Sequence, residues 1–119
     1  MYKVTCRVVK VNEPKPIEGE ETIPKSKCAV FKVGDKMTFT AWPTRLLMDQ
    51  CDNVCIFALS AIAPAAQALC RETAEQKDYI NSISHFCCPD AHRPVIFRIE
   101  REKLPLEELM LPGEKGYRK

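Results

Sequence analysis

The chain has 119 residues and a formal net charge of +2, with 18 Lys and Arg against 16 Asp and Glu, 45% hydrophobic residues and 29% charged ones. That balance argues against a disordered chain and is ordinary for one globular domain spanning 1–119. The basic residues are scattered, whereas a nucleic-acid surface needs a basic stripe, so no nucleic-acid partner is expected.

The opening MYKVTCRVVKVNEPKP is charged and alternating and lacks an apolar core, so it does not read as a signal peptide. Residues 2–11 predict a strand with Val4, Cys6 and Val8 on one face and Lys3, Thr5 and Arg7 on the other. NEPKPIEGEETIP, rich in Pro and Glu, predicts a surface loop. CAVFKVGDKMTFTAW predicts a hairpin whose turn is Gly34-Asp35, between Phe31/Val33 and Met37/Phe39. Trp42-Pro43 ends it and is expected to pack beneath the helices.

Asp49, Asp52 and Asn53 offer N-caps for a helix that begins near Val54. Pro64 ends that helix or starts a second, AAQALCRETAEQ, with Ala66, Leu69, Cys70 and Thr73 on one face. VCIFALSAIAPAAQALC is interrupted by Pro64, carries Ser60 and Gln67, and is short for a bilayer span, so a soluble cytoplasmic protein with no membrane partner is expected. SISHFCC and PVIFRIE predict strands around the turn PDAHR, and the first and last strands are expected to share one sheet. Residues from about 102 to 119 read as a C-terminal tail or short helix. The expected class is α+β: a small mostly antiparallel sheet or partial barrel with a central helical insertion packed on it.

Seven cysteines is a high and odd number. In a reducing compartment they are thiols, which points to metal binding, redox chemistry or core filling before disulfides. Strand alternation places His85 and Cys87 on one face and Phe86 and Cys88 on the other. The adjacent Cys87-Cys88 pair lacks the two-residue spacer that lets both sulfurs reach one zinc, so a metal site would have to recruit Cys28 or Cys55 from distant segments. Cys51 and Cys55 would chelate together only if one helix carried both. Otherwise Cys55 falls in the first helical turn, where the dipole favours a thiolate and Asp52 opposes it.

Asp90 and Arg93 read either as a turn pair or as an anion anchor, with the Arg93 guanidinium holding a carboxylate or phosphate beside the cysteines. His85 and His92 are candidate bases or metal ligands, or simply solvated turn residues. The sequence contains no nucleotide-binding loop, no HExxH and no Ser–His–Asp signature.

Three blocks in order, CAVFKVGD, the Cys55 segment entering a helix, and CCPDAHRPVIFRIER, resemble a family of short cysteine-containing proteins of anaerobic bacteria and archaea. The resemblance rests on Cys28, Phe31, Gly34, Asp35, Cys55, Cys88, Asp90, Arg93 and Pro94 and runs to about Arg101. Ala91 stands where that pattern has glycine, and Cys70-Arg71 where it has a glycine pair. The resemblance implies the fold and the site residues and carries no activity.

Three function classes follow. The first, and the leading expectation because seven cysteines exceed what one nucleophile requires, is a soft-metal site for zinc or an iron–sulfur cluster, with Cys28, Cys55, Cys88 and His92 as ligands. The second is a small enzyme using a reactive cysteine, Cys55 or Cys88, with Arg93 anchoring an anion. The third is a non-catalytic accessory protein. A homo-oligomer or a protein partner stays open in all three.

Overall fold

Strand β1 (Tyr2–Val11) is the middle of a five-stranded antiparallel open sheet, and its alternation sets the two faces of the molecule. The computed structural model describes residues 2–19, 25–41, 44–70 and 83–105. Strands β2 (Lys36–Ala41), β3 (Thr44–Leu46), β4 (His85–Cys87) and β5 (Val95–Lys103) complete the sheet in the order β3-β2-β1-β5-β4. Among the described residues between β3 and β4 in sequence lie a single 3-10 turn, Met48–Gln50, and the helix α1 (Ile56–Leu69). The α+β class with a central helix is as the sequence predicts, with the sheet open rather than closed. Its edge strands β3 and β4 are three residues each, short enough to offer little template for further pairing.

Register follows burial. Val4 pairs with Phe39 and Cys6 with Met37 on one side, while Val8 pairs with Phe97 and Cys6 with Ile99 on the other. Val95 and Phe97 share the core face by alternation along β5, and a one-residue irregularity in β1 between Val8 and Lys10 sets Val11, rather than Lys10, opposite Val95. The core face thus collects Val4, Cys6, Val8, Met37, Phe39, Val95 and Phe97. Helix α1 covers it with Ala58, Ile62, Ala66 and Leu69, whose spacing of four, four and three makes one stripe. Phe31 closes the end of this core with its ring edge-on to Phe97, centroids 5.2 Å apart.

Cys6 and Cys70 belong to the core. Burial pushes the Cys6 thiol up to about 12, with Cys70 and Glu100 adding to it. Burial likewise pushes Cys70 up to about 11, against the opposing charge of Arg101. Both stay protonated and behave as small hydrophobes. The helix C-terminus docks here: Tyr2 donates its N–H to the Cys70 carbonyl at 2.8 Å, and Arg101 Nε donates to the Leu69 carbonyl at 3.0 Å. The Arg101 guanidinium lies 4.0 Å over the Tyr2 ring.

The opposite face of the sheet is polar. Arg7 meets Glu100 at 2.9 Å, Lys3 meets Glu102 at 3.3 Å, and the hydroxyls of Thr5 and Thr38 lie 3.3 Å apart. Burial of the core on the other face, more than these half-exposed cross-strand pairs, fixes the register.

Three expectations are corrected. The predicted hairpin over 28–42 is absent: residues 28–35 form bends and a turn, and β2 pairs with β1 and β3 instead. In that stretch Phe31 is buried but Val33 is 65% exposed, so the apparent alternation has no second apolar contact to fix it as a strand. Gly34 does make the turn, at φ +98°. The second correction is Pro64, which neither ends the helix nor starts another, because α1 runs through it. Pro64 and Ser60, whose carbonyl loses its intrahelical donor, are both exposed residues, and the buried stripe of Ala58, Ile62, Ala66 and Leu69 runs past them on the other face. Asp52 and Asn53 do not cap the helix; the N-cap residue is Cys55. Trp42-Pro43, Thr73 and the C-terminal segment from residue 106 lie outside the described residues.

Phe97 is fully buried at the centre of this arrangement. Phe97→Ala should cost about 3–5 kcal/mol in denaturant unfolding, through lost transfer energy plus the cavity left behind. A loss below about 1 kcal/mol would show that the β1–β5 face is not the core.

Candidate functional site

A cavity of about 230 Å³ opens at the N-terminus of α1. Cys28, Cys55 and Cys88 line it together with Asp90 and Arg93, against apolar walls that include Phe31, Phe57 and Val95. Its three cysteines are partly buried and come from three separate segments: the loop before β2, the N-cap of α1, and the turn between β4 and β5. None of them is in a disulfide.

Cys88 arrives by the alternation the sequence predicts. Cys87 and His85 are exposed, whereas Phe86 and Cys88 turn inward. Directly after β4, Cys88 donates its N–H to the Val95 carbonyl at 3.0 Å, and Val95 donates back to the Cys88 Sγ at 3.2 Å. The turn between them is tied by Asp90, whose Oδ1 accepts the N–H groups of His92 at 3.1 Å and Arg93 at 3.3 Å. Asp90 Oδ2 takes Arg93 Nε at 3.0 Å. Arg93 Nη1 then crosses to the Ser26 carbonyl at 2.8 Å, pinning the loop that carries Cys28.

Cys55 is positioned from the other side. The Asp35 carboxylate is nearly buried, and a buried charge is tolerable only with hydrogen bonds. Its Oδ2 accepts the Lys32 N–H at 3.1 Å and Asn53 Nδ2 at 2.8 Å. The same residue's backbone carbonyl takes the Val8 N–H at 2.7 Å. Asp35 therefore links the Cys28 loop, β1 and the segment that leads into Cys55. As N-cap residue Cys55 makes no side-chain hydrogen bond to the helix, and the first turn of α1 carries no acidic residue. Asp52, which the sequence sets against a thiolate here, is turned to Lys36: its Oδ2 accepts the Lys36 N–H at 3.1 Å and lies 3.5 Å from Nζ.

Of the residues singled out from sequence, Cys28, Cys55, Cys88 and Arg93 come together. His92 is not among the lining residues; its backbone closes the turn and accepts the Lys15 N–H at 2.8 Å. His85 is exposed and its Nδ1 lies 2.8 Å from Ser84 Oγ. Cys51 is a strand-edge residue: its Sγ accepts the Thr38 N–H at 3.3 Å and donates to the Leu47 carbonyl at 3.3 Å. Partial desolvation and the neighbouring Cys88 push the Cys87 thiol upward. Among the described residues, no group of three or more His, Cys, Asp or Glu stands where it could hold a metal ion. The roles of Asn53 and of the Ser26 carbonyl escape sequence reasoning because both are long-range, and Asp35 reads there only as a turn residue.

No family model, curated protein or solved structure matches the chain. Function must therefore be argued from the cavity.

Asp35 and Asp90 give the site a pH dependence. Desolvation raises both carboxyls, but hydrogen bonds outweigh it, from Asn53 and Lys32 for Asp35 and from Arg93 and His92 for Asp90, so both are held below the usual value. A carboxyl depressed in the folded state contributes stability above its unfolded value, near 3.9, and loses it as pH falls through the lower folded value. Stability should hold from neutral pH to about pH 5 and fall on further acidification, and Asp90→Asn should flatten part of that fall. Urea midpoints measured from pH 7 to pH 3 test this, and an acid limb unchanged in Asp90→Asn contradicts it.

Proposed function

We propose that this protein acts through a thiol pocket in which Cys55 is the nucleophile and Cys28 and Cys88 are its companions. What supports the reading is the convergence of three part-buried cysteines, from three segments, on one largely apolar cavity at a helix N-terminus. Cys55 is the N-cap residue of α1, and the partial positive charge of a helix N-terminus favours the negative charge that its sulfur would carry in an attack. Thiolate is the attacking form of cysteine, and apolar walls keep water from competing for the reactive atom. A cavity of 230 Å³ has room for a small group, such as the electrophilic carbon or sulfur end of a substrate. The three lining cysteines all fall within the blocks that resemble the anaerobe family.

A soft-metal centre is the second reading, and the N–H of Val95 donated to Cys88 Sγ favours it. Hydrogen bonds to ligand sulfurs tune zinc–thiolate and iron–sulfur sites. Cys28, Cys55 and Cys88 would supply the sulfurs, and the loops carrying Cys28 and Cys88 would have to draw inward, since the described side chains do not group around one ion.

Alkylation with iodoacetamide at pH 7, read by peptide mass spectrometry, separates these. Cys55 should be modified about tenfold faster than Cys51, and Cys55→Ser should remove that fast phase. Equal rates at both would remove the nucleophile. Zinc near one equivalent, or iron at about two to four with matching sulfide, in protein purified without oxygen and with all three pocket thiols protected, would establish the metal reading instead.

A further inference from the structure

We infer that Arg93 is a positioning residue that sets the distance between Cys28 and Cys88, rather than a group that meets the ligand; this rests on the thiol-pocket reading only in taking these sulfurs as the functional atoms. The loop around Cys28 has no strand or helix to fix it. It is tied to the Cys88 side through the Ser26 carbonyl, two residues from Cys28, held by Arg93 Nη1 at 2.8 Å. The same guanidinium fixes the Cys88 turn through Asp90, at 3.0 Å from Nε to Oδ2. One planar fork thus holds two cysteine-bearing segments at once, with its charge balanced by Asp90 and its edge spent on a carbonyl. A lysine keeps the charge and a single donor point but cannot span both partners.

The consequence is specific to pairs of thiols. Removing the fork should leave each sulfur as reactive as before while loosening the spacing between them. Dibromobimane reads that spacing, because it fluoresces brightly once both arms have alkylated thiols: two carbon–sulfur bonds form, two bromides leave and two protons pass to solvent. In the full-length protein, dibromobimane should bridge Cys28 and Cys88, as mapped by mass spectrometry, and Cys28→Ser should abolish that bridge. In Arg93→Lys the bridging rate should fall about tenfold, with iodoacetamide rates at Cys28 and Cys88 changed by less than about twofold. Asp90→Asn retains an oxygen for the turn N–H groups but loses the charged partner of Arg93, and should give an intermediate loss; it also serves if Arg93→Lys does not fold. Bridging at the wild-type rate in these variants, or no Cys28–Cys88 bridge in the wild type, overturns the inference. The outcome is independent of whether Cys55 proves to be the fast thiol, so the two proposals fail separately.

Discussion

The buried carboxylate of Asp35 is the contact on which the site end of the molecule depends. It is 3% exposed, and a lone carboxylate there would carry a heavy desolvation cost. Donors from two directions offset that cost: the Lys32 N–H within its own loop and the Asn53 amide from the segment before α1. Its backbone adds a third direction, because the Val8 N–H donates to the Asp35 carbonyl and the Gly34 N–H donates to the Val8 carbonyl. A stretch without regular structure is thereby joined to the central strand at one end and to the helix entrance at the other. Placement of Cys28 relative to Cys55 follows from that junction.

Environment divides the seven cysteines into distinct roles. Cys6 and Cys70 sit where burial drives their thiols far up, and they pack as hydrophobes between β1 and the end of α1. Cys51 completes the edge of β2 with sulfur in place of a strand partner, accepting from one backbone N–H and donating to a carbonyl. Cys87 is at the surface, its thiol directed to the neighbouring Cys88 carbonyl at 3.2 Å. What is left is the trio around the cavity, each half-buried and each on a segment fixed by side-chain contacts. Core filling thus accounts for two of the seven and edge satisfaction for a third, whereas the trio shares a ligand-sized space. That sorting, more than the total number of sulfurs, directs the functional reading to the pocket.

Much of the sheet was legible because strands write a period of two into the chain. Val4, Cys6 and Val8 alternate with Lys3, Thr5 and Arg7, Val95 and Phe97 stand two apart on β5, and the same alternation separates Cys87 from Cys88. The false hairpin shows the limit of that signal. Residues 28–35 alternate well enough on paper, but a side-chain carboxylate and a positive-φ glycine shape them, and neither contact has a period. Pro64 misled in the opposite sense, since the roughly 3 kcal/mol that proline costs inside a helix is outweighed where the buried stripe of Ala58, Ile62, Ala66 and Leu69 continues beyond it. The gathering of Cys28, Cys55 and Cys88 could be suspected from residue type alone. The means of gathering them could not, because Asn53 reaches Asp35 across 18 residues and Arg93 reaches Ser26 across 67.

Hydrogen exchange in Asp35→Ala tests the central claim most directly. If the carboxylate joins the Cys28 loop to the Cys55 segment, amides in 28–35 and 51–55 should lose protection together while those of β5 keep theirs. Loss of protection confined to Lys32 and its immediate neighbours, with 51–55 unchanged, would contradict the account, since the two cysteine segments would then be held independently.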